Sequence, residues 1–230
     1  MFEFYLDTAN ADVVRRIAKS LPIYGVTTNP TILAKYQQGI YHVLPALTDV
    51  LGESARFHVQ VVSQTADKML EEAKQLAALP HNIVVKVPAT AVGLEAIKKI
   101  KKLDIPVLAT AIYSEQQGFL AALCGADYLA PYVNRIDALG ADGVRVVGDL
   151  QNLIEKHQFA CTLLPASFKS TQQVMAVLAL GVGAITLPVN VVEQMLNHPA
   201  VQPAVDDFYK DWQYEFGEKL AFETYNNRRK

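Results

Sequence analysis

Short apolar segments alternate with segments of helical periodicity along the whole chain. Over residues 66–79, apolar side chains recur three and four positions apart, which predicts an amphipathic helix. Eight shorter segments have the composition of buried strands: 3–8, 24–28, 56–62, 82–88, 105–111, 126–133, 160–167 and 184–189. Such strands, separated by helices, predict a parallel sheet with crossover helices, and hence an α/β fold of the (β/α)8 TIM-barrel type. A doubly wound open sheet is the alternative that this pattern leaves open.

Polar residues at the ends of the helical segments predict where several helices begin. Asn10 is a candidate N-cap for the first helix. Ser170 with Gln173 forms a candidate capping box, and Asn190 with Glu193 resembles a second one. In such a box the two side chains bond each other's backbone N–H groups, so both pairs predict a helix start.

The pattern continues beyond the eighth strand and sets the expected domain organisation. Residues 199–216 predict one more helix, and the residues after Phe216 are largely polar. We therefore expect residues 1–216 to form a single-domain barrel with an extra C-terminal helix. Residues 217–230 are expected to form a polar, flexible tail.

Composition and charge exclude several classes of protein. With a formal net charge of −2, the chain has no long-range attraction for nucleic acid or an anionic membrane. The start MFEFYLD lacks the basic residues and apolar core of a secretory leader, and no apolar segment approaches the roughly 18 residues of a membrane span. We expect a soluble cytoplasmic protein that binds neither. Cys124 and Cys161 stand singly in apolar contexts and are expected to be buried, reduced thiols.

Polar residues recur at the ends of the predicted strands. Side chains two positions apart share a face of a strand, and barrel active sites form at the C-terminal rim. If the barrel interior is the face that includes Tyr5 and Val84, one polar residue from each of six strands lies at this rim: Asp7, Asn29, Gln60, Lys86, Thr110 and Tyr132. Ser167, at the end of the seventh strand, can join them. His58 lies one layer deeper and is expected to be a core histidine.

Lys86 interrupts the apolar segment NIVVKVP at residues 82–88. A buried ammonium loses hydration, so its pKa is expected to fall toward neutrality. A neutral amine is a nucleophile that can form a Schiff base with a carbonyl compound. The alternative is a lysine that is ion-paired inside the barrel, for instance with Asp7.

Five motifs occur in order between residue 3 and residue 216: YLDTA, GVTTNPTI, VVKVPAT, APYVNRID and ASFKS. Together they resemble the small subfamily of the transaldolase family that includes the fructose-6-phosphate aldolases. The resemblance implies a (β/α)8 barrel and a class I aldolase mechanism that uses neither a cofactor nor a metal. It also implies a homo-oligomer built from rings, a pentamer or a decamer.

The resemblance also implies catalytic roles for five of the rim residues. Lys86 corresponds to the Schiff-base lysine of the family. Asp7 corresponds to the carboxylate that contacts substrate hydroxyls and helps proton transfer. The group that holds a catalytic water in the aldolases corresponds to Gln60, Thr110 and Tyr132.

Other positions correspond to substrate-binding residues of the family. Asn29 corresponds to the asparagine that binds a hydroxyl of the enamine, and Thr27 precedes it on the same face. Arg135 and Ser167 correspond to the phosphate-binding pair. Lys169 stands where larger transaldolases use a second arginine for phosphate. An arginine fork and a hydroxyl are suited to a phosphate group.

The implied reaction is reversible cleavage of fructose 6-phosphate to dihydroxyacetone and glyceraldehyde 3-phosphate. Ordinary transaldolases, which transfer the dihydroxyacetone unit to another sugar phosphate, carry a glutamate in place of Gln60 and a phenylalanine in place of Tyr132. These two positions favour the aldolase. A transaldolase and a non-catalytic barrel that binds sugar phosphates are the alternatives. Pro165 departs from the aldolase pattern, which has a small residue there.

Overall fold

The computed structural model describes residues 2–224, and eight strands in this range form one parallel sheet. The strands are β1 (Glu3–Asp7), β2 (Gly25–Thr27), β3 (Arg56–Gln60), β4 (Asn82–Pro88), β5 (Val107–Ile112), β6 (Tyr128–Pro131), β7 (Thr162–Leu163) and β8 (Ala184–Leu187). All eight predicted strands are therefore confirmed. Most are shorter than predicted, above all β7, which has two residues where 160–167 was predicted.

The sheet closes into a barrel. Its strand order is β7-β6-β5-β4-β3-β2-β1-β8, so neighbours in the chain are neighbours in the sheet, apart from the step that joins β8 to β1. The Thr186 N–H donates to the Pro165 carbonyl at 3.1 Å and joins the two remaining edges. This order confirms the (β/α)8 barrel and excludes the doubly wound open sheet.

Each strand is followed by at least one helix. The helices are α1 (Ala11–Ala18), α2 (Pro30–Tyr36), α3 (Ile40–Leu51), α4 (Ala66–Ala77), α5 (Ala91–Ile100), α6 (Glu115–Leu123), α7 (Val133–Ala138), α8 (Gly143–His157), α9 (Thr171–Leu178), α10 (Val189–Leu196) and α11 (Val201–Phe216). The predicted helices over 66–79 and 199–216 correspond to α4 and α11.

The structure confirms two of the three predicted helix starts. The Asn10 side chain accepts the N–H groups of the first turn of α1, and the Ser170 hydroxyl accepts the Gln173 N–H at 3.2 Å at the start of α9. The box predicted from Asn190 is wrong, because α10 already begins at Val189. Pro188, whose φ is fixed near the helical value, precedes it, and the Pro188 carbonyl accepts the Val191 N–H at 3.0 Å.

The predicted interior face of the strands is the one that packs inside the barrel. One buried cluster there contains Tyr5, Val84, Leu108, Tyr128, Ala130, Leu164 and Ala184. His58 is fully buried between the rings of Tyr5 and Tyr128, with centroids 4.8 and 5.2 Å away, which confirms it as a core histidine. Neither ring nitrogen has a hydrogen-bond partner among the described residues, and burial lowers the pKa of His58 well below its ordinary value.

A polar network closes the N-terminal end of the barrel. The Glu3 carboxylate accepts the Tyr5 hydroxyl at 2.7 Å, the Arg56 guanidinium at 3.1 Å and the Tyr128 hydroxyl at 3.0 Å. Burial raises the pKa of Tyr128 to about 12, so its hydroxyl remains a donor at neutral pH. Because these groups satisfy each other, this end is a structural seal.

The contacts divide the chain into two units, Met1–Val191 and Val192–Lys230. In the second unit the Trp212 indole N–H donates to the Lys219 carbonyl at 2.7 Å, and a short 3-10 helix spans Ala221–Thr224. The predicted flexible tail thus begins with some local structure, and residues 225–230 lie outside the described range. From residue 2 to residue 224, no helix combines the length and apolar character needed to cross a membrane.

The cysteine prediction was partly wrong. Cys124 and Cys161 are free thiols, as expected, but both are half-buried rather than fully buried. Burial raises the pKa of Cys161 to about 11, so the thiol form predominates at neutral pH.

Candidate active site

A pocket of about 270 Å³ opens at the C-terminal end of the barrel. Seven residues that the sequence suggested line it: Asp7, Asn29, Lys86, Tyr132, Arg135, Ser167 and Lys169. Five further residues complete the wall: Asn134, Ala166, Phe168, Pro188 and Asn190. The residues come from strands and loops far apart in the chain, as in other barrels whose sites are built at this rim.

Lys86 lies on β4 at the floor of the pocket and is 5% exposed. Its Nζ donates to the Thr28 carbonyl at 2.7 Å. Burial lowers the pKa of Lys86, while the negative charge of Asp7 acts in the opposite direction. No ion pair joins Lys86 to Asp7 in the described part of the chain, so the amine is anchored by a neutral carbonyl. Burial without a paired carboxylate favours the neutral, nucleophilic form of the amine.

A chain of two hydroxyl groups holds Asp7. The Thr27 hydroxyl donates to Asp7 Oδ1 at 2.7 Å and lies 2.7 Å from the Thr186 hydroxyl. Because Thr27 has one hydroxyl proton, which it donates to Asp7, the Thr186 hydroxyl must be the donor in the second bond. Thr27 and Thr186 are both almost fully buried. These two hydrogen bonds hold the Asp7 carboxylate in place through one oxygen and leave its other oxygen available to a ligand in the pocket.

Thr110 and Tyr132 form the second polar pair. Their hydroxyl oxygens are 2.9 Å apart, and Thr110 is fully buried. A register shift between β5 and β6 and a left-handed backbone at Ala111, with φ of 57°, occur beside Thr110. Burial raises the pKa of Tyr132, so its hydroxyl stays protonated and can donate a proton or hydrogen bond.

Asn29 has two functions available at once. Its Oδ1 caps α2 by accepting the Ile32 N–H at 2.9 Å. Asn29 lines the pocket, and its Nδ2 makes no hydrogen bond within residues 2–224. The amide can therefore donate to a ligand hydroxyl while it caps the helix.

Gln60 is beside Lys86 in the sheet but outside this pocket. Its Cα pairs with that of Lys86 in the register of β3 and β4. Gln60 lines two neighbouring cavities on the outer side of the β3 and β4 ends. Tyr132, with Thr110 bonded to it, therefore shares the pocket of Lys86, whereas Gln60 does not line that pocket.

The opposite side of the pocket is cationic. The guanidinium of Arg135, on the short helix α7, lies 4.6 Å from the centre of the Tyr132 ring. A hydrogen bond with Tyr113 raises the pKa of Arg135. Lys169 is exposed at the same pocket. Two cations and one carboxylate leave a net positive charge that suits an anionic ligand group.

Ser167 reaches the pocket through an unusual backbone conformation. Leu164, directly after β7, belongs to the interior cluster, so simple alternation would place Ala166 on the interior face and point Ser167 away. Its φ of 64° is left-handed, and its carbonyl accepts the Asn134 N–H at 2.7 Å. This turn lets Ser167 line the pocket.

Some residues of the site were not predicted from the sequence. Thr186 could have been found, because Ala184 and Thr186 alternate on β8 as the other interior pairs do. Asn134 and Phe168 lie after the strands, where alternation carries no information. Among residues 2–224, no three His, Cys, Asp or Glu side chains group closely enough to hold a metal ion.

Solved structures of other proteins share the fold. A mandelate oxidase variant with an FMN adduct is 14% identical, with a TM-score of 0.57, over 83% of this chain and 64% of that chain. A putative isomerase from Sinorhizobium meliloti is 11% identical, with a TM-score of 0.57, over 84% of this chain and 53% of that chain. This chain thus spans between half and two thirds of their length, and identities this low show the fold alone.

The family relationship comes from a sequence comparison. The family model described as Transaldolase/Fructose-6-phosphate aldolase matches residues 4–227, which is almost the whole sequence. The chain therefore belongs to the transaldolase/fructose-6-phosphate aldolase family.

Proposed function

We propose that this chain is a class I aldolase that reversibly cleaves fructose 6-phosphate to dihydroxyacetone and glyceraldehyde 3-phosphate. Membership of the family supports an aldolase or transaldolase type of activity. The observation that carries the proposal is the buried amine of Lys86, whose pKa is lowered at the floor of a cationic pocket. An amine of this kind attacks a ketone carbon, and loss of water then gives an iminium ion.

The iminium ion is the electron sink of the proposed reaction. When the bond between C3 and C4 of the sugar breaks, its electron pair moves into the iminium ion and gives an enamine on Lys86. The C4 hydroxyl loses its proton and becomes the aldehyde of glyceraldehyde 3-phosphate. Asp7, fixed by Thr27, is the proposed acceptor of that proton.

Release of the second product needs a proton and a water molecule. Protonation of the enamine carbon regenerates the iminium ion, and addition of water then frees dihydroxyacetone and the Lys86 amine. We assign the orientation of this water, and the transfer of its proton, to the paired hydroxyl groups of Tyr132 and Thr110. Gln60, beside Lys86 in the register, is proposed to assist.

The proposed substrate contacts follow the charge distribution of the pocket. Arg135, Ser167 and Lys169 would bind the phosphate, and Asn29 would donate its amide to a hydroxyl of the enamine. The two groups lie on different elements, which suits a substrate with its ketone and its phosphate at opposite ends. No cofactor or metal takes part in the steps that we propose.

A transaldolase is the second candidate, because the family includes both activities. We favour the aldolase because the Tyr132 hydroxyl lies in the pocket with a buried partner and can orient a hydrolytic water. Two measurements test the proposal. Dihydroxyacetone with borohydride should leave one covalent adduct by intact mass. A coupled assay should then show faster cleavage of fructose 6-phosphate than transfer to erythrose 4-phosphate.

We also propose that the protein is a cytoplasmic homo-oligomer, a pentamer or decamer by its resemblance. The support is an apolar stripe on α11, formed by Val201, Val205, Phe208 and Tyr209, which are 48–70% exposed. Sedimentation velocity over a range of micromolar concentrations tests this. A monomer throughout would contradict it.

A further inference from the structure

The Gln173 side chain bridges two segments of the rim. It lies in the first turn of α9, and its Oε1 accepts the Lys169 N–H at 2.9 Å. Its Nε2 donates to Asp137 Oδ2 at 2.6 Å and lies 3.4 Å from Asn134 Oδ1. In a capping box the Gln173 side chain would accept the Ser170 N–H, whereas here it accepts the Lys169 N–H, one residue earlier. Both ends of the amide are engaged, and Gln173 itself does not line the pocket.

The two bridged segments carry the cationic side of the site. Lys169 belongs to the segment between β7 and α9, which also contains Ser167. Asn134 and Asp137 flank Arg135 on α7. A backbone bond from the Asn134 N–H to the Ser167 carbonyl, at 2.7 Å, joins the same two segments closer to the pocket. The Val133 N–H also donates to the Ala166 carbonyl at 3.0 Å, so Gln173 adds an outer, side-chain connection to these backbone bonds.

α7 is itself anchored at its far end. Asp137 Oδ1 accepts the Gly143 N–H at 2.7 Å, where α8 begins. A Cβ at residue 143 would lie 2.4 Å from the Val133 carbonyl oxygen, so the corner between α7 and α8 is tightly packed. Through the same Asp137 carboxylate, Gln173 thus ties the segment that carries Lys169 to a rigid corner.

The Gln173 bridge counteracts two effects that would loosen the cationic side of the pocket. Arg135 and Lys169 are like charges at one pocket and repel each other when no anion lies between them. Ser167 is held with a φ of 64°, which a serine seldom adopts without support. A site that is held in its binding geometry before the ligand arrives binds more tightly, because less freedom is lost on binding.

We infer that Gln173 is a positioning residue that fixes the phosphate-binding side of the pocket by joining the Ser167–Lys169 segment to α7. It acts through Arg135, Ser167 and Lys169 and does not touch the substrate. The inference rests on the proposed function, because it takes these three residues to bind the phosphate of the substrate.

Three variants separate the two halves of the bridge. Gln173→Ala removes both, and Gln173→Glu keeps the acceptor for the Lys169 N–H but places a carboxylate against Asp137. The double variant Gln173→Glu/Asp137→Asn restores the bond with donor and acceptor exchanged. The new amide at position 137 can donate to the new carboxylate at position 173, and its oxygen can still accept the Gly143 N–H. The rescue variant also keeps the test valid if Gln173→Ala does not fold.

Glu72→Ala is the matched control. The Glu72 carboxylate accepts the N–H groups of Val62 and Ser63, both at 3.0 Å, and so ties down another loop of the rim from a helix. Glu72 is not among the residues that line the candidate active site. Loosening a rim loop in general would affect this variant and the Gln173 variants alike.

Two readouts are compared for every variant. Calorimetry measures the affinity for inorganic phosphate, and kinetics compare glyceraldehyde 3-phosphate with unphosphorylated glyceraldehyde as acceptors. We expect Gln173→Ala and Gln173→Glu to weaken phosphate binding and raise KM for the phosphorylated acceptor about tenfold, the scale of one charged hydrogen bond. KM for the unphosphorylated acceptor and both kcat values should change by less than about twofold, because Gln173 acts only on the phosphate-binding side. The double variant should recover most of the loss, and Glu72→Ala should match the wild type.

Several results would overturn the inference. These are wild-type phosphate affinity in both single variants, equal losses for the two acceptors, no recovery in the double variant, or no phosphate binding by the wild type. Failure of the proposed function gives a different signature, the absence of a borohydride-trapped adduct with dihydroxyacetone. Calorimetry with inorganic phosphate does not depend on imine chemistry, so the two failures are distinguishable.

Discussion

Tyr132→Phe removes one oxygen atom from the proposed site and leaves most of its packing. The ring lies 4.6 Å from the Arg135 guanidinium and 5.7 Å from the Tyr113 ring, and a phenylalanine keeps both contacts. The Thr110 hydroxyl, fully buried, loses its partner at 2.9 Å. The loss of this hydrogen bond should cost about 1 kcal/mol of the free energy of unfolding.

The expected effect on catalysis is larger than the effect on stability. A positioned acid–base group contributes about 10²–10⁴-fold to a rate, so cleavage of fructose 6-phosphate should fall by about 10²-fold or more. This loss corresponds to about 2.7 kcal/mol or more in the activation free energy. Because Lys86 keeps its amine and its bond to the Thr28 carbonyl, the borohydride-trapped adduct should persist. Transfer to erythrose 4-phosphate should fall less, or rise.

The coupled assay for release of glyceraldehyde 3-phosphate gives the cleavage rate, and intact mass gives the extent of adduct formation. Thr110→Val is the matched variant, because it removes the partner but leaves the Tyr132 hydroxyl in place. The two changes should be non-additive if the hydroxyl groups act as a pair. Cleavage at the wild-type rate by Tyr132→Phe would refute the assigned role. A wild-type protein that transfers faster than it releases dihydroxyacetone would refute the aldolase itself.

Three further predictions concern single side chains. Lys86→Met should abolish the borohydride-trapped adduct by intact mass while circular dichroism stays native, and an adduct that persists on Lys169 or Lys98 would contradict this. Arg135→Ala should lower kcat/KM for phosphorylated aldehydes by a factor that corresponds to about 1.5–3 kcal/mol of transition-state binding. Equal losses for unphosphorylated aldehydes would indicate a structural role. For His58, the folded pKa lies well below the ordinary value of 6.5, so the unfolded state binds more protons below that pH and stability falls as the pH falls. Urea unfolding between about pH 7 and pH 5.5 should show the free energy of unfolding falling by up to about 1.4 kcal/mol per pH unit through His58. His58→Phe should lose this contribution. The same pH dependence in His58→Phe as in the wild type would mean that His58 is protonated in the fold.

Much of the fold could be predicted because its causes are local. Strand burial leaves an apolar pattern a few residues long, and the alternation of side chains placed Tyr5, Val84, Leu108 and Ala130 on the interior face, as the packed cluster confirms. The cap at Asn10 depends on backbone groups two and three residues away. Lys86 stood out because a charge inside an apolar strand is costly in any fold.

The remaining features depend on contacts between residues that are distant in the chain. Thr27 and Thr186 are 159 positions apart, and only closure of the barrel brings their hydroxyl groups together at Asp7. The helix start at Val189, the left-handed turn at Ser167 and the bridge from Gln173 to Asp137 likewise follow from packing at the rim. A residue pattern reports the environment that each side chain prefers, whereas the partner that it meets is set by the relative positions of whole strands and helices.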